Sequence, residues 1–360
     1  MKNDWVKNWY TRQNRRPYDF QKDCLKNYLE GKSGLLNAPT GSGKTMALWI
    51  PILKEYVNQY PDSWKKKRKN GLQVIWITPL RALAQDLCQA MQEVCLETGL
   101  PWRIAVRNGD TTAAQRQQQK RAMPECLITT PESLHLLVAQ KGNQELFRNL
   151  KAVVVDEWHE LLANKRGVQV QLAIEYLKTL ASSQFKVWGI SATIGNLSQA
   201  HRVLLGSSTP KLIIRSKVKK KIKVASILPD EVEKYPWAGH LGIKLLPKIL
   251  PIIEKSQSVL LFTNTRSQTE IWYQKILETK PEWAGTMAMH HGSLDPQVRE
   301  WVEKALHEKK LKLVVCTSSL DLGVDFRPVD TVIQVGSPKG VTRFVQRAGR
   351  SGHSPGAISK

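Results

Sequence analysis

No stretch of this chain approaches the roughly 20 consecutive apolar residues that a membrane-spanning helix requires. The opening segment, Met1–Arg16, is polar and basic and holds no apolar core of the kind a secretory signal carries. Cysteine is scarce and scattered: Cys24, Cys88, Cys95, Cys126 and Cys316 are five in 360 residues, with no Cys-x-x-Cys pair. An odd, dispersed set speaks against a disulfide framework, and Cys88 and Cys95 fit a shared helix face better than a metal site. The chain therefore reads as a soluble cytoplasmic protein with reduced thiols. Low-complexity tracts and short-period repeats are also missing. Acidic residues are few: 31 Asp and Glu against 54 Lys and Arg leave a net charge of +23. Such a surplus attracts polyanions, nucleic acid first among them, although a basic proteome would give the same balance. Hydrophobic residues make up 41% of the chain, a globular share, and 360 residues suffice for about two domains with their own cores.

What is present is an alternation of short β-branched runs with longer amphipathic segments. Leu72–Ile77, Leu127–Thr130, Ala152–Val155 and Val187–Ile190 read as buried strands, separated by helical patterns at Ala82–Thr98, Glu132–Gln140 and Val168–Leu180. Val259–Thr263, Leu313–Cys316 and Thr331–Val335 continue the scheme. The alternation predicts an α/β protein with parallel sheets and helices on both faces. It lapses between Gly206 and Pro236, which hold the basic run Lys217–Lys223, Pro229 and Pro236. A first domain is expected over residues 1–206, a linker with edge structure over 207–235 and a second domain over 236–360. A second basic block, Lys65–Lys69, reads as a solvated loop or a nucleic-acid contact. Pro51 should kink the helix expected over Met46–Val57.

Nearly every polar cluster follows an apolar run: Thr78-Pro79-Leu80-Arg81, Thr129-Thr130-Pro131-Glu132, Asp156-Glu157-Trp158-His159 and Ser191-Ala192-Thr193. In a parallel sheet the carboxyl ends of the strands share one edge, so these clusters should meet there. The stretch they would surround is Ala38-Pro39-Thr40-Gly41-Ser42-Gly43-Lys44-Thr45, between the apolar run Gly34–Leu36 and a helix. Gly41 and Gly43 let the backbone N–H groups of this loop converge on phosphates. Lys44 adds charge, and the Thr45 hydroxyl can hold Mg²⁺. Ala38 stands where the strict pattern has glycine, and a small residue still permits the turn. The loop implies a bound nucleoside triphosphate. Asp156 suits the metal through water, and Glu157 suits orienting and deprotonating the water that attacks the γ-phosphate. His159 is either a structural histidine or a link from this site to Ser191 and Thr193. Gln346-Arg347-Ala348-Gly349-Arg350 offers a cationic residue for the transition state, or else a basic surface loop.

APTGSGKT (38–45), TPLRAL (78–83), TTPESL (129–134), DEWH (156–159) and SAT (191–193) resemble the first motor domain of superfamily 2 helicases. LFTNTR (261–266), VVCTSSLDLGVDF (314–326) and QRAGRSG (346–352) resemble its second. DEWHELL (156–162), Asn164-Lys165-Arg166-Gly167, the run at 236–242 and VGSPKG (335–340) look like the large-helicase-related (Lhr) group, closest to its bacterial ligase-associated DExH-box helicases. The resemblance implies two RecA-like domains with ATP between them and single-stranded DNA across their tops. It implies that Gln21 reads adenine, with Tyr18 or Phe20 packed nearby. Thr40, Gly41, Ser42, Gly43, Lys44 and Thr45 would hold the phosphates, joined from the second domain by Gly323 and Asp325. Arg81, Thr130, Arg266 and Thr317 would touch the nucleic-acid backbone, and Gln346 and Arg350 would reach the γ-phosphate. The usual final arginine is replaced by His353, which leaves Arg350 as the expected finger ahead of Arg347.

The implied activity is an ATP- and Mg²⁺-dependent 3′-to-5′ DNA helicase in repair, in the bacterial cytoplasm or nucleoid. An ATP-dependent DNA ligase and a metallo-β-lactamase-fold nuclease are the implied partners, and single-stranded DNA or a tailed duplex the implied substrate. The alternatives are an RNA-directed helicase, since backbone-reading motifs do not separate the sugars, and a nucleotide-gated clamp that binds without unwinding. Gly356–Lys360 reads as the start of a further strand, and the resemblance implies domains beyond it, a winged helix among them.

Overall fold

The computed structural model describes residues 5–39, 41–162, 164–181, 185–192, 194–218, 222–228, 242–321, 329–338 and 340–351. The motif residues Thr40, Thr193, Gly323, Asp325 and His353 lie outside these ranges, as does Gly356–Lys360. The chain divides into two compact units, Met1–Val218 and Lys219–Lys360.

The first unit opens with helices α1 (Trp5–Arg12) and α2 (Asp19–Leu29), then strand β1 (Gly34–Asn37) and helix α3 (Lys44–Gln59). Strand β2 (Val74–Ile77), α4 (Arg81–Thr98), β3 (Ile104–Arg107), α5 (Ala113–Arg121) and β4 (Cys126–Thr129) follow. Next come α6 (Pro131–Val138), α7 (Asn143–Phe147), β5 (Ala152–Val155), α8 (Trp158–Leu161) and α9 (Lys165–Leu180). The unit closes with β6 (Lys186–Ser191), α10 (Leu197–Leu205) and β7 (Ile213–Arg215). Its strands form one seven-stranded parallel sheet in the order β3-β4-β2-β5-β6-β1-β7.

Burial on both faces explains why the central strands read as unbroken apolar runs. Along β2, Val74 and Trp76 join the core on one face, and Ile75 and Ile77 the core on the other. The first core takes Trp9, Tyr28, Trp49 and Met91 from α1–α4. The second takes Leu134, Ile174 and Leu204 from α6, α9 and α10. The buried indoles of Trp49, Trp158 and Trp188 each donate to a backbone carbonyl, at 3.2, 3.0 and 2.9 Å. Helix α3 runs through Pro51, which can donate no backbone bond to the preceding turn. Strand β7 falls in the stretch expected to be a linker with edge structure. It pairs in parallel with β1, Leu36 opposite Ile214, and so extends the first unit to Val218.

In the second unit α11 (Leu246–Lys255), β8 (Val259–Phe262), α12 (Arg266–Thr279) and β9 (Met287–His290) come first. Then follow α13 (Pro296–His307), β10 (Leu313–Cys316), β11 (Thr331–Gln334) and α14 (Val341–Ala348). The described strands form a parallel sheet, β11-β8-β10-β9. Val259 and Leu261 pack against α11 and α12 on one face, and Leu260 and Phe262 against α13 on the other. Both sheets thus have the doubly covered parallel form that the alternation predicts. All five cysteines are free thiols, and burial raises the pKa of each. No helix among the described residues is long and apolar enough to cross a membrane.

Candidate nucleotide and nucleic-acid site

Parallel register brings the ends of β1, β6, β5, β2 and β4 to one edge of the first sheet. Asn37 lies opposite Ser191, Gly189 opposite Val155, and Ile77 between Val155 and Thr129. The Asn37 amide donates to the Ala192 carbonyl at 2.7 Å, and Ala38 N–H to the Ser191 carbonyl at 3.0 Å. The glycine-rich loop is thereby tied to the Ser191-Ala192 segment. Gly41 (φ 77°) and Gly43 (φ 81°) both sit in the left-handed region, the turn a phosphate cradle requires. Ser42 Oγ donates to the Pro39 carbonyl at 2.7 Å and helps close the loop. Gln21 reaches the same loop from α2: its Nε2 donates to the Gly43 carbonyl at 3.1 Å, and its Oε1 accepts from Tyr18 N–H at 2.9 Å. Of the two aromatic rings expected beside it, Phe20 is in the core and Tyr18 is exposed, stacked on Phe20 at 5.8 Å. Tyr18 is therefore the ring with a face to offer a ligand.

Lys44 and Thr45 open α3, and Lys44 is buried. Its Nζ lies 3.2 Å from Glu157 Oε1. Glu157 follows β5 in the left-handed conformation (φ 44°, ψ 46°), unusual for a residue with a side chain. The bend aims its carboxylate at Lys44 and sets its own N–H to donate to Asp156 Oδ1 at 2.9 Å. Beyond Glu157 stands His159, whose Nδ1 is 3.4 Å from Glu157 Oε2 and 3.0 Å from Ser191 Oγ. Burial lowers the His159 pKa, which keeps the imidazole neutral at pH 7. Burial first, and then the Glu157 charge, push the Asp156 carboxyl well up from its ordinary value, while Lys44 opposes them. Lys44 balances one of these two buried carboxylates, so the donor set fits a divalent cation beside Asp156. The described residues include no cluster of three or more His, Cys, Asp or Glu able to cage a metal.

Farther along the edge, Arg81 opens α4 on the surface and pairs with Asp110 at 2.7 Å. Thr130 stands at the N-cap position of α6, is buried, and donates to Ser133 Oγ at 3.3 Å. Arg166 clamps two of the motif loops together. It donates to both oxygens of Glu132, at 2.6 and 3.3 Å, and to the Pro79 carbonyl at 2.7 Å.

The candidates of the second unit form their own cluster. Arg266 opens α12 after β8, exposed and 3.5 Å from Glu270. Thr317 follows the neighbouring β10, with its Oγ1 3.3 Å from Ser319 Oγ. Arg347 on α14 and Arg350 just beyond its end take different partners. Arg347 grips the buried Asp321 carboxylate with Nε and Nη2, at 2.6 and 3.1 Å, and Arg343 supports the pair from 3.3 Å. Arg350 donates to the Asp321 carbonyl, at 3.2 and 2.9 Å, and Gln346 on α14 is buried.

The DEAD/DEAH box helicase family model matches residues 18–200, just over half of the chain, and the helicase conserved C-terminal domain matches residues 242–354. The chain belongs to the DEAD/DEAH box helicases. It is similar to helicases named Lhr. The ATP-dependent helicase Lhr-Core of Methanocaldococcus jannaschii is 35% identical over 360 residues, covering 97% of this chain and 42% of the relative. The Lhr helicase/uracil glycosylase of Escherichia coli is 29% identical, covering 99% of this chain and 26% of that protein. The solved structure of Mycobacterium smegmatis helicase Lhr bound to ssDNA and AMP-PNP superposes with a TM-score of 0.79 at 32% identity, covering 99% of this chain and 47% of that one. The chain spans 40–42% of the length of the archaeal Lhr-Core relatives.

Three features of this DEAD/DEAH box helicase escape the sequence. Asp321 lies within the VVCTSSLDLGVDF motif, yet no local pattern marks it as the anchor of Arg343 and Arg347. The Arg166–Glu132 clamp joins segments that the sequence holds far apart. Asp110, the partner of Arg81, sits in a polar loop with no motif signal.

Proposed function

We propose that this chain is an ATP-driven motor that moves 3′-to-5′ along single-stranded DNA and serves DNA repair. The observation that carries the reading is the buried chain Lys44–Glu157–His159–Ser191, which joins the glycine-rich loop to the end of β6. The loop N–H groups and Lys44 bind the ATP phosphates, and a γ-phosphate that draws Lys44 away frees Glu157 Oε1 to take a proton from the attacking water. Thr45 and Asp156 are the residues that would hold Mg²⁺, which when bound neutralises charge developing on the phosphates. Arg350 supplies the transition-state cation, because the charge of Arg347 is already met by the Asp321 carboxylate whereas Arg350 is bonded to the neutral Asp321 carbonyl. Gln346, Gly323 and Asp325 complete the nucleotide contacts of the second unit. Arg81, Thr130, Arg266 and Thr317 hold the strand by its backbone, and His159, Ser191 and Thr193 report hydrolysis to it.

The preference for DNA, the polarity and the repair setting rest on the Lhr resemblance and on an Lhr having been solved with ssDNA. The same resemblance supports the ligase-associated branch, with an ATP-dependent ligase and a metallo-β-lactamase-fold nuclease as partners in the cytoplasm. The test is ATP hydrolysis with single-stranded DNA or RNA added, followed by displacement from 3′- and 5′-tailed duplexes. Stronger stimulation by RNA overturns the substrate assignment, and displacement from 5′ tails alone overturns the polarity. Stimulation by neither strand removes the motor reading.

A further inference from the structure

A groove of about 520 Å³ runs between α5 and α6 at the outer edge of the first sheet. Arg107, Asn108, Arg116, Lys120, Ser133 and Gln140 line it, and no carboxylate is among its lining residues. Arg107 ends β3, the edge strand. Ile104 and Val106 on that strand pack into the core beside α4, so alternation turns Arg107 to the opposite face, under α5 and α6. Arg107 is 6% exposed, and its buried Nη1 has no hydrogen-bond partner among the described residues. Burial, and then the neighbouring charge of Arg116, lower the Arg107 pKa. A buried guanidinium facing a second cation, with no anion beside it, is costly unless a ligand supplies the charge.

Helix α5 adds to this arrangement. Its sequence, Ala-Ala-Gln-Arg-Gln-Gln-Gln-Lys-Arg, holds no acidic residue. A capping box between Thr112 and Gln115 fixes its start, and Gln119 ties it to the Val106 carbonyl at 2.9 Å. Arg116 and Lys120 are thereby presented one turn apart along the rim. Ser133 on the groove wall accepts the Thr130 hydroxyl at 3.3 Å, so the groove lies next to the strand-end edge that carries Thr130.

We propose that this groove is an additional phosphate-binding subsite, which takes the backbone of a nucleic-acid strand beyond Thr130. The proposal rests on the nucleic-acid function proposed for the chain and extends the track past the motif residues. Phosphodiesters carry the charge that Arg107, Arg116 and Lys120 lack, and they recur along a strand without regard to base. A free phosphate would meet the same cations, but its binding could not depend on strand length.

Fluorescence anisotropy with oligothymidylates of increasing length, each titrated with salt, tests the proposal. The variant is Arg116→Gln with Lys120→Gln, since both residues are exposed, and its thermal melt checks the fold. Short strands that stop at Thr130 should bind the variant and the unaltered chain alike. Longer strands should show a step in affinity that the variant lacks, with a log–log salt slope smaller by about 0.7 for every phosphate no longer neutralised. Arg107→Gln should remove the same step, and its thermal melt shows whether the fold survives. An identical step in the double variant overturns the subsite, as does an equal loss at every length. Failure of the unaltered chain to bind any strand overturns the nucleic-acid function instead.

Discussion

Glu157 adopts a backbone conformation that costs a side-chain-bearing residue about 1–3 kcal/mol, and such strain gathers where a reactive group must be aimed. The bend places its carboxylate between Lys44 and His159, where it can change partners when phosphate arrives. Glu157→Gln keeps the shape and removes the base. Turnover should be abolished while nucleotide binding, read by fluorescence titration, stays close to that of the unaltered chain. Unchanged hydrolysis in this variant would take Glu157 out of its role. Arg347 and Arg350 give a sharper contrast. Arg350→Ala should slow hydrolysis by about 10³-fold or more, with the fold retained. Arg347→Ala should instead destabilise the second unit by about 3 kcal/mol in urea unfolding, because it removes the bidentate partner of the buried Asp321 carboxylate and leaves it the half-exposed Arg343. If Arg347→Ala left stability untouched and removed activity, the finger would be Arg347.

At the scale of elements, the site is a property of five strand ends in register, and the link from Glu157 through His159 to Ser191 crosses from β5 to β6. Ser191→Ala removes the hydroxyl that meets the imidazole and touches no phosphate ligand. Hydrolysis should persist while DNA-stimulated turnover and strand displacement fall; equal loss of basal and stimulated rates would make Ser191 a structural residue. The strands that carry these ends are legible in the sequence because burial on both faces leaves an apolar run. Ala152–Val155 and Leu313–Cys316 are legible to the residue, and β2, β4, β6, β8 and β11 to within a residue or two at each end. Strands β3, β7 and β9 escape the pattern, and each lies at the edge of its sheet. Ile-Ala-Val-Arg and Ile-Ile-Arg are short and partly exposed, so their patterns carry little weight. The motif residues are legible because their chemistry constrains residue type and spacing together. Their partners are not: Asp110, Glu132 and Asp321 bind through tertiary distance, which no local pattern encodes.

The whole molecule carries a surplus of +23, and its candidate strand contacts stand at the carboxyl edges of two separate sheets. Single-strand affinity should therefore fall steeply with salt, by a slope of about −0.7 for each neutralised phosphate. Arg81→Ala or Arg266→Ala should flatten that slope equally for unrelated base sequences, and a sequence-selective loss would mean base readout. Two units with separate cores also divide the proposed chemistry. Gln21, Lys44, Asp156 and Glu157 belong to Met1–Val218, whereas Gln346 and Arg350 belong to Lys219–Lys360. Every strand pairing in the first sheet stays within Met1–Val218, and so do both of its cores. That unit expressed alone should melt cooperatively and bind ATP through its own loop. Lacking the cation, it should turn ATP over as slowly as the whole chain carrying Arg350→Ala, about 10³-fold below the unaltered rate. Calorimetry establishes the fold of the isolated unit and phosphate release its rate. Hydrolysis by Met1–Val218 at the rate of the whole chain would show that the catalytic charge comes from the first unit itself.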